Sequence, residues 1–395
     1  MKKISCYFLI PILCFCNKEI SAQNITDTTK PRIYKIAVFA PLYLDSVFTD
    51  NKLRSDRSIP KLVIPALEFV QGAQIAFDSL TLDNHKVEAF IYDTKSFTEP
   101  LSQLLQGNKL NNVNLIIGSV RDTDLRELAD FSLSKNIPFI SATFPNDGGI
   151  TGNPFLVIMN STLKGHCEGI YSYILQNHGT DKIYLFKKPG AQEDKIATLF
   201  KTLNEQEGKP LLNIQTITFD SSFSEFAFRK KLDSNRNSII IGGSLNESFA
   251  KNLSNVCYAS RESYPLTLIG MPNWDGFKFF KDDSYKDFPV YFTIPYYNPK
   301  TNSLSTMLED EYNSRFKTIP GDLVYRGFES AWYFTKLLTR YPDDLMLHLN
   351  DKSLKIINDY NFRPVLLKDE TLPDYFENKH LYVMRIMNGK VSREF

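Results

Sequence analysis

Two serines end isoleucine-rich runs in this 395-residue chain. Ser119 follows Leu115-Ile116-Ile117-Gly118, and Ser244 follows Ile239-Ile240-Ile241-Gly242-Gly243. A hydroxyl placed there could act as a nucleophile, cap a helix or contact a ligand. The first reading is the weakest, because Gly242-Gly243-Ser244-Leu245-Asn246 lacks the final glycine of a nucleophile elbow. Gly148-Gly149-Ile150-Thr151-Gly152 does not match GxGxxG, and neither GxxxxGK[ST] nor HExxH occurs. His85, His166, His178, His348 and His380 show no metal-ligand spacing, and Asp282-Asp283 and Asp343-Asp344 read as solvated turns. No catalytic residue, metal or cofactor is expected. Ser244 opens Ser-Leu-Asn-Glu247, a capping-box pattern, so helix capping is its plain role. Asp122 reads as an N-cap in the same way.

Each serine belongs to a repeated unit. Asn114 to Pro145 reads as a strand, a Gly-Ser turn, a helix with Leu125, Leu128, Ala129 and Leu133 on one face, and a second strand at Pro138–Ala142. The pattern returns at Ser238 to Pro272. Short continuous apolar runs fit strands covered on both faces, so two similar lobes facing each other are expected.

Apolar residues make up 43% of the chain and charged ones 23%, as in globular domains, and the length leaves room for two. Lys2-Lys3, the apolar run to Cys16 and the small-residue exit Ile20-Ser21-Ala22 predict a signal peptide over 1–22. A loose polar tail over 23–33 would follow it. The apolar run is short for a membrane anchor, and no later stretch has the length of a span. Leu13 and Phe15 precede Cys14 and Cys16 where a lipobox needs a small residue, so lipidation is not expected. Without the leader the formal charge moves from +1 to about −1, which gives no support for a nucleic-acid partner. Cys167 and Cys257 lie in apolar helical patterns and read as buried free thiols rather than as a disulfide pair.

Strands are predicted at Tyr34–Leu42, Val87–Tyr92, Phe155–Met159, Lys182–Phe186, Ile214–Phe219 and Val290–Ile294, with helices between them. Asp45 to Pro65 lacks periodicity and reads as a long loop, suited to a lid or a partner surface. Helices follow at Ser303–Phe316 and Asp322–Tyr341. The C-terminus reads as antiparallel strands, Pro364–Leu367 and His380–Met387, around an Asn388-Gly389 turn. The fold class is therefore α/β: two Rossmann-like lobes with mostly parallel sheets flanked by helices, joined by a multi-strand hinge. An approximate division puts 34–160 with 273–340 in lobe one, and 161–272 with 341–395 in lobe two.

The segments YKIAVFAPL, FVQGAQIAFDSL, VEAFIYDTKS, LIIGSV, IPFISATFP and YRGFESAWYFTKLL, in that order from Tyr34, resemble the type I periplasmic binding protein superfamily. The likeness is to the branched-chain amino-acid receptor group of ABC-transporter binding proteins. The wording EFVQGAQIAFDSL…YDTKS is similar to an exported Bacteroidetes-type subgroup often linked to LysM modules, although no such module is visible here. The resemblance implies two lobes closing on a small molecule at strand C-termini and helix N-termini. By position it would place Ser119, Val120, Ala142, Thr143 and Phe144 from lobe one at the ligand. Lys188, Gly243, Ser244, Asn273 and Trp274 would face them from lobe two. Ser119 and Thr143 would bind a carboxylate through hydroxyl and backbone N–H, and Trp274 would cover an apolar part. Trp274 and Tyr296 could equally pack at the hinge.

One departure bears on the ligand. Amino-acid receptors of this group set an acidic side chain against the substrate ammonium, whereas this chain has Asn273-Trp274 there and Asp275 one step later. Amino-acid, peptide-like, sugar-like and peptidoglycan-derived ligands all stay open. The reading is an exported periplasmic or cell-envelope solute-binding protein serving ABC-type uptake or sensing, not an enzyme. Its partners would be a small-molecule ligand and an ABC permease or envelope protein. The alternative is a ligand-independent envelope interaction protein on the same fold.

Overall fold

The computed structural model describes residues 32–50, 52–54, 58–83, 85–206, 208–220, 224–281, 283–366 and 371–394. The expected leader, its cysteines and nearly all of the tail lie outside the described residues. Within residues 33–395 the short apolar runs become strands of two seven-stranded sheets. In lobe one Tyr34–Ala40 lies between Val87–Asp93 and Leu115–Gly118. Phe139–Ser141 and Leu156–Ile158 continue the sheet, all in parallel. In lobe two Lys182–Lys187 lies between Ile214–Thr218 and Ser238–Gly242, followed by Leu266–Ile269 and Val290–Ile294, again in parallel. Leu115–Gly118 and Ser238–Gly242 are buried along their whole length, as parallel strands covered by helices on both faces must be.

Both lobes have the same winding. The first strand of each is flanked by the second on one side and the third on the other, so the order reverses beside Leu115–Gly118 and beside Ser238–Gly242. Open α/β sheets take ligands outside the strand C-termini at such a reversal. Ser119 and Gly243 stand one residue past those two strands.

The chain passes between the sheets three times, and the passages differ from the approximate division. Val290–Ile294 pairs with Leu266–Ile269, so 273–294 belongs with lobe two. Tyr375–Asn378, a strand the pattern did not reveal, pairs in parallel with Leu156–Ile158 and carries Phe362–Val365 as its antiparallel edge. The segment 341–378 therefore belongs with lobe one. After Asn378 the chain returns to lobe two through Tyr382–Met387 and Lys390–Arg393, whose Asn388-Gly389 turn has φ of 51° and 70°. That is the expected hairpin turn. Only pairing partners decide which sheet such short strands join, and for Tyr375–Asn378 those partners lie more than two hundred residues away.

The described residues between Asp45 and Pro65 are more ordered than a loop reading implies. They contain the helix Leu44–Val47, a small hairpin of Phe48–Thr49 with Lys52–Leu53, and the start of the helix Ile64–Leu82. The Asp45 carboxylate accepts hydrogen bonds from Ser96 Oγ, the backbone N–H groups of Phe97 and Thr98, and Thr98 Oγ1. Those donors, led by the Thr98 N–H, hold its pKa down from 3.8 to about 2.

Lobe one packs a core on each face of its sheet, and lobe two forms one continuous core. The tightest contact lies between the helices Ile64–Leu82 and Asp322–Arg340. A Cβ on Gly72 would stand 1.9 Å from the Val324 carbonyl oxygen, and one on Gly327 would stand 1.9 Å from that of Phe69. Two glycines thus let the backbones touch, and they fix the rotation of the second helix about its own axis. Replacing Gly327 by Ala should push the helices apart and cost about 1–3 kcal/mol, the usual range for overpacking. Urea unfolding of G72A and G327A checks this; an unchanged midpoint in both would refute it.

Candidate ligand-binding cleft

Three connections join the lobes, and polar side chains stitch them together. Ser161 Oγ donates to the Asn378 carbonyl at 2.5 Å, and the Thr162 N–H donates to Glu377 Oε1 at 2.7 Å. Asn378 Oδ1 accepts from the N–H groups of Asn361 and His380. The Tyr297 N–H donates to Asn358 Oδ1 at 2.7 Å, and Asn358 in turn donates through both its backbone N–H and its Nδ2 to the buried Glu329 carboxylate. Burial raises the Glu329 pKa, and its hydrogen bonds from Asn358 oppose the rise.

Against these connections lies a cleft of about 510 Å³, lined from both lobes. Arg326 and Asp322 come from lobe one; Leu245, Asn273, Asp275 and Thr293 come from lobe two; Asn160, Tyr296 and Asn298 come from the connections. A narrow extension of about 10 Å³ continues from it between Ala142, Asn160, Tyr296, Arg326 and Tyr360. His166 lies on the floor, 3% exposed, with Nδ1 2.8 Å from Thr293 Oγ1. Its burial drives the ring pKa from 6.5 down to about 3, so the imidazole is neutral.

Two charges in the cleft have no ion-pair partner among the described residues. The Arg326 side chain makes no hydrogen bond among the described residues; its guanidinium lies over the Tyr296 ring, 4.8 Å from the centroid, and its Nε is shielded from water. Asp275 keeps surface open to the cleft, yet the protein packed around it raises its carboxyl pKa by desolvation. The Gly276 N–H and the charges of Arg326 and Lys281 oppose that rise. Asp322 differs, because Lys300 sits 3.0 Å from its carboxylate. The Tyr296 hydroxyl and the Asn298 Nδ2 are also shielded and unbonded. Desolvation holds the Tyr296 phenol far above its ordinary pKa, so it keeps its proton.

The expected site residues divide into two groups. Those of lobe one gather at the strand C-termini: Ser119 Oγ and Thr143 Oγ1 are 3.1 Å apart, and the Thr143 carbonyl accepts from Asn160 Nδ2 at 2.6 Å. The Ser119 N–H is already bonded to the Phe39 carbonyl, so only its hydroxyl is available. Val120 is buried in the core, Phe144 packs against that core, and Ala142 borders the narrow extension.

Lobe two departs further from expectation. Trp274 is fully buried, and its Nε1 donates to the Ser244 carbonyl at 2.9 Å. It stacks on Phe280 and fills the space left by Gly242 and Gly270, so it anchors the core and covers no ligand. Ser244 is also fully buried; its Oγ donates to Glu193 Oε1 at 2.6 Å and accepts from the Asn246 N–H. The helix Glu247–Ser260 is capped by Asn246 rather than Ser244, and Asp122 does not cap its helix, whose N-cap is Arg121. The Gly243 N–H is bonded to the Phe186 carbonyl. Lys188 stands 3.7 Å from Glu193, the acid that holds Ser244. Asn273 alone of this group lines the cleft, and its Nδ2 donates to the Leu245 carbonyl.

Arg326, Asn298 and Asn160 were missed. Arg326 sits inside the resembling segment YRGFESAWYFTKLL, and a charged residue beside the apolar stripe of a buried helix was the available signal. Cys167 and Cys257 are both buried free thiols, as expected. Among the described residues no group of three or more His, Cys, Asp or Glu side chains could hold a metal ion, and no helix is long and apolar enough to cross a membrane.

The twin parallel sheets, their matched winding and the three-stranded hinge make this the type I periplasmic-binding-protein fold. Solved structures agree. Over 92% of its length the chain is similar to the whole of a protein from Rhodospirillum rubrum assigned to branched-chain amino acid ABC transport, with a TM-score of 0.65 and 10% identity. It is similar to an ABC transporter substrate-binding protein from Desulfitobacterium hafniense, solved in complex with Leu, over 92% of this chain and 100% of that one (TM-score 0.54, 11% identity). An ABC-type branched-chain amino acid transporter protein from Rhodopseudomonas palustris matches over 91% of this chain and 95% of that one (TM-score 0.57, 13% identity). At such identities the likeness is one of fold. No protein-family model matches the chain, and no curated protein matches its sequence.

Two outcomes test the placement of buried polar groups. S244A leaves the buried Glu193 carboxylate without its short hydrogen bond and should cost about 1–3 kcal/mol of stability; chemical denaturation measures it, and a change within error would remove the structural role. The folded state keeps His166 neutral, so its contribution is complete above the ordinary pKa of 6.5. It is lost as pH falls from there toward about 3, because the unfolded chain takes up the proton first. Melting curves of wild type and H166Q between those limits should diverge, with the wild type falling more steeply; parallel curves would exclude His166.

Proposed function

We propose that this protein is an exported solute-binding protein whose two lobes close on a small polar ligand in the 510 Å³ cleft. The observation that carries this is the pair of unpaired charges presented from opposite lobes, Arg326 from lobe one and Asp275 from lobe two, beside unbonded hydrogen-bond donors. Asp275 is exposed and Arg326 half-buried, so a ligand carrying both signs would replace water at the two groups rather than displace a protein partner. An amino acid or peptide-like molecule supplies a carboxylate and an ammonium, so Asp275 supports this class where Asn273 and Trp274 alone would not. Ser119 and Thr143 are not among the residues that line this cleft, and their hydroxyls are 3.1 Å from each other, so they would meet only a ligand that reaches beyond it. The protein would then deliver its ligand to an ABC permease or report it to an envelope sensor.

The test is a thermal-shift and calorimetric screen of the protein against amino acids, short peptides, sugars and muropeptides. A true ligand at about a hundred times its Kd should stabilise the fold by about 2.7 kcal/mol. Small-angle scattering with and without the ligand should show a smaller radius of gyration on binding. Failure of every class to stabilise the protein would favour the ligand-independent envelope interaction role.

A further inference from the structure

The narrow extension behind the cleft has chemistry of its own. Its 10 Å³ is close to the roughly 10–15 Å³ that one water-sized group needs. Asn160, Tyr296 and Arg326 reach it from three separate parts of the chain. Two side chains that line it carry hydrogen-bond donors that are shielded from water and unbonded, Arg326 Nε and the Tyr296 hydroxyl, and Asn298 Nδ2 on the wall of the adjoining cleft is a third. Buried polar atoms normally find partners, so a group of unbonded donors around one space points to an absent acceptor. Of the nearby carboxylates, Glu329 is held by the N–H groups of Ile357 and Asn358 and by Asn358 Nδ2, and Asp322 pairs with Lys300, while Asp275 feels the Arg326 charge without forming an ion pair with it.

We propose that this slot is an oxyanion subsite that receives the carboxylate of the cleft's ligand, with Arg326 as its charge partner and the Tyr296 hydroxyl and Asn298 amide as neutral donors. The space admits one oxygen, and a single guanidinium balances a single negative charge. Asp275 and Asp322 on the cleft walls oppose a multiply charged phosphate. The subsite therefore selects a monocarboxylate whose other end is neutral or cationic. It also moves the anion-binding point away from Ser119 and Thr143, toward the connections between the lobes. There a bound carboxylate would link Arg326 of lobe one to Tyr296 and Asn298 of the crossing segment. This inference rests on the solute-binding reading and specifies its chemistry.

The experiment compares matched probes. Acetate, isovalerate, L-leucine and the dipeptide Ala-Leu are each measured beside the corresponding primary amide, by thermal shift and calorimetry on the whole protein. At least one carboxylate should stabilise the wild type while its amide does not. R326Q should weaken that carboxylate by about 10- to 100-fold, the usual loss for a hydrogen bond to a charged group. R326K, which keeps the charge without the fork, should weaken it less, and Y296F should weaken it modestly while preserving the ring under the guanidinium. Melting of each variant without probe shows that it is folded. Equal effects of acid and amide, or a carboxylate effect that survives R326Q, would overturn the inference and leave the solute-binding reading standing. No stabilisation by any carboxylate would also overturn it, whereas the broader reading is decided by the screen that includes sugars and muropeptides.

Discussion

Glu377 is a carboxylate with no surface exposed to water, set where the chain leaves one sheet for the other. A charge in that position is tolerated only when every oxygen is occupied and a cation lies close. Oε1 accepts the Thr162 N–H, and Oε2 is joined to Lys379, which also reaches Glu168 at 2.7 Å. Two of the three connections are thereby fastened to each other and to the start of the helix Leu163–Asn177. The neighbouring Asn378 repeats the arrangement with its side-chain amide. Around Glu377 and Asn378 the lobes are joined by hydrogen-bonded polar groups rather than by apolar packing, and the core of lobe two stays separate from the two cores of lobe one.

The unbonded donors of the cleft stand out against this background. A few residues away, Asn358, Glu329 and Asn378 have their hydrogen-bonding groups filled, and the chain spends much of its C-terminal segment doing so. Arg326 owes its position to the same helix that carries Glu329 and Gly327. Gly327 sets the helix against Ile64–Leu82, Glu329 ties it to 357–358, and the rotation fixed by those two contacts turns Arg326 over the Tyr296 ring. A guanidinium held by stacking alone keeps its in-plane donors for something else.

Much of the fold was legible in the residues. The helices Leu163–Asn177 and Ser303–Phe316 and the strand Val290–Ile294 lie where periodicity places them, because a long amphipathic stripe or a short buried run has few other solutions. Tyr375–Asn378 was not legible: Tyr-Phe-Glu-Asn carries two polar residues whose burial depends on partners across the hinge. The candidate site was partly legible for the same reason. Ser119 and Thr143 followed from strand ends and do meet, whereas Ser244 and Trp274 obey the same positional rule and are nevertheless buried.

The sequence by itself determined that there are two βαβ-based lobes, since strand and helix periods are local properties of the chain. It also determined that hydroxyls would stand past the first strands of each repeat, and that no recognisable catalytic motif accompanies them. Only the tertiary structure decided which sheet each late strand joins, which hydroxyl is consumed by a buried acid, and that Arg326 and Asp275 look into the same space. Those outcomes depend on pairings across scores to hundreds of residues. A side chain's availability is set by whatever the remainder of the chain places beside it.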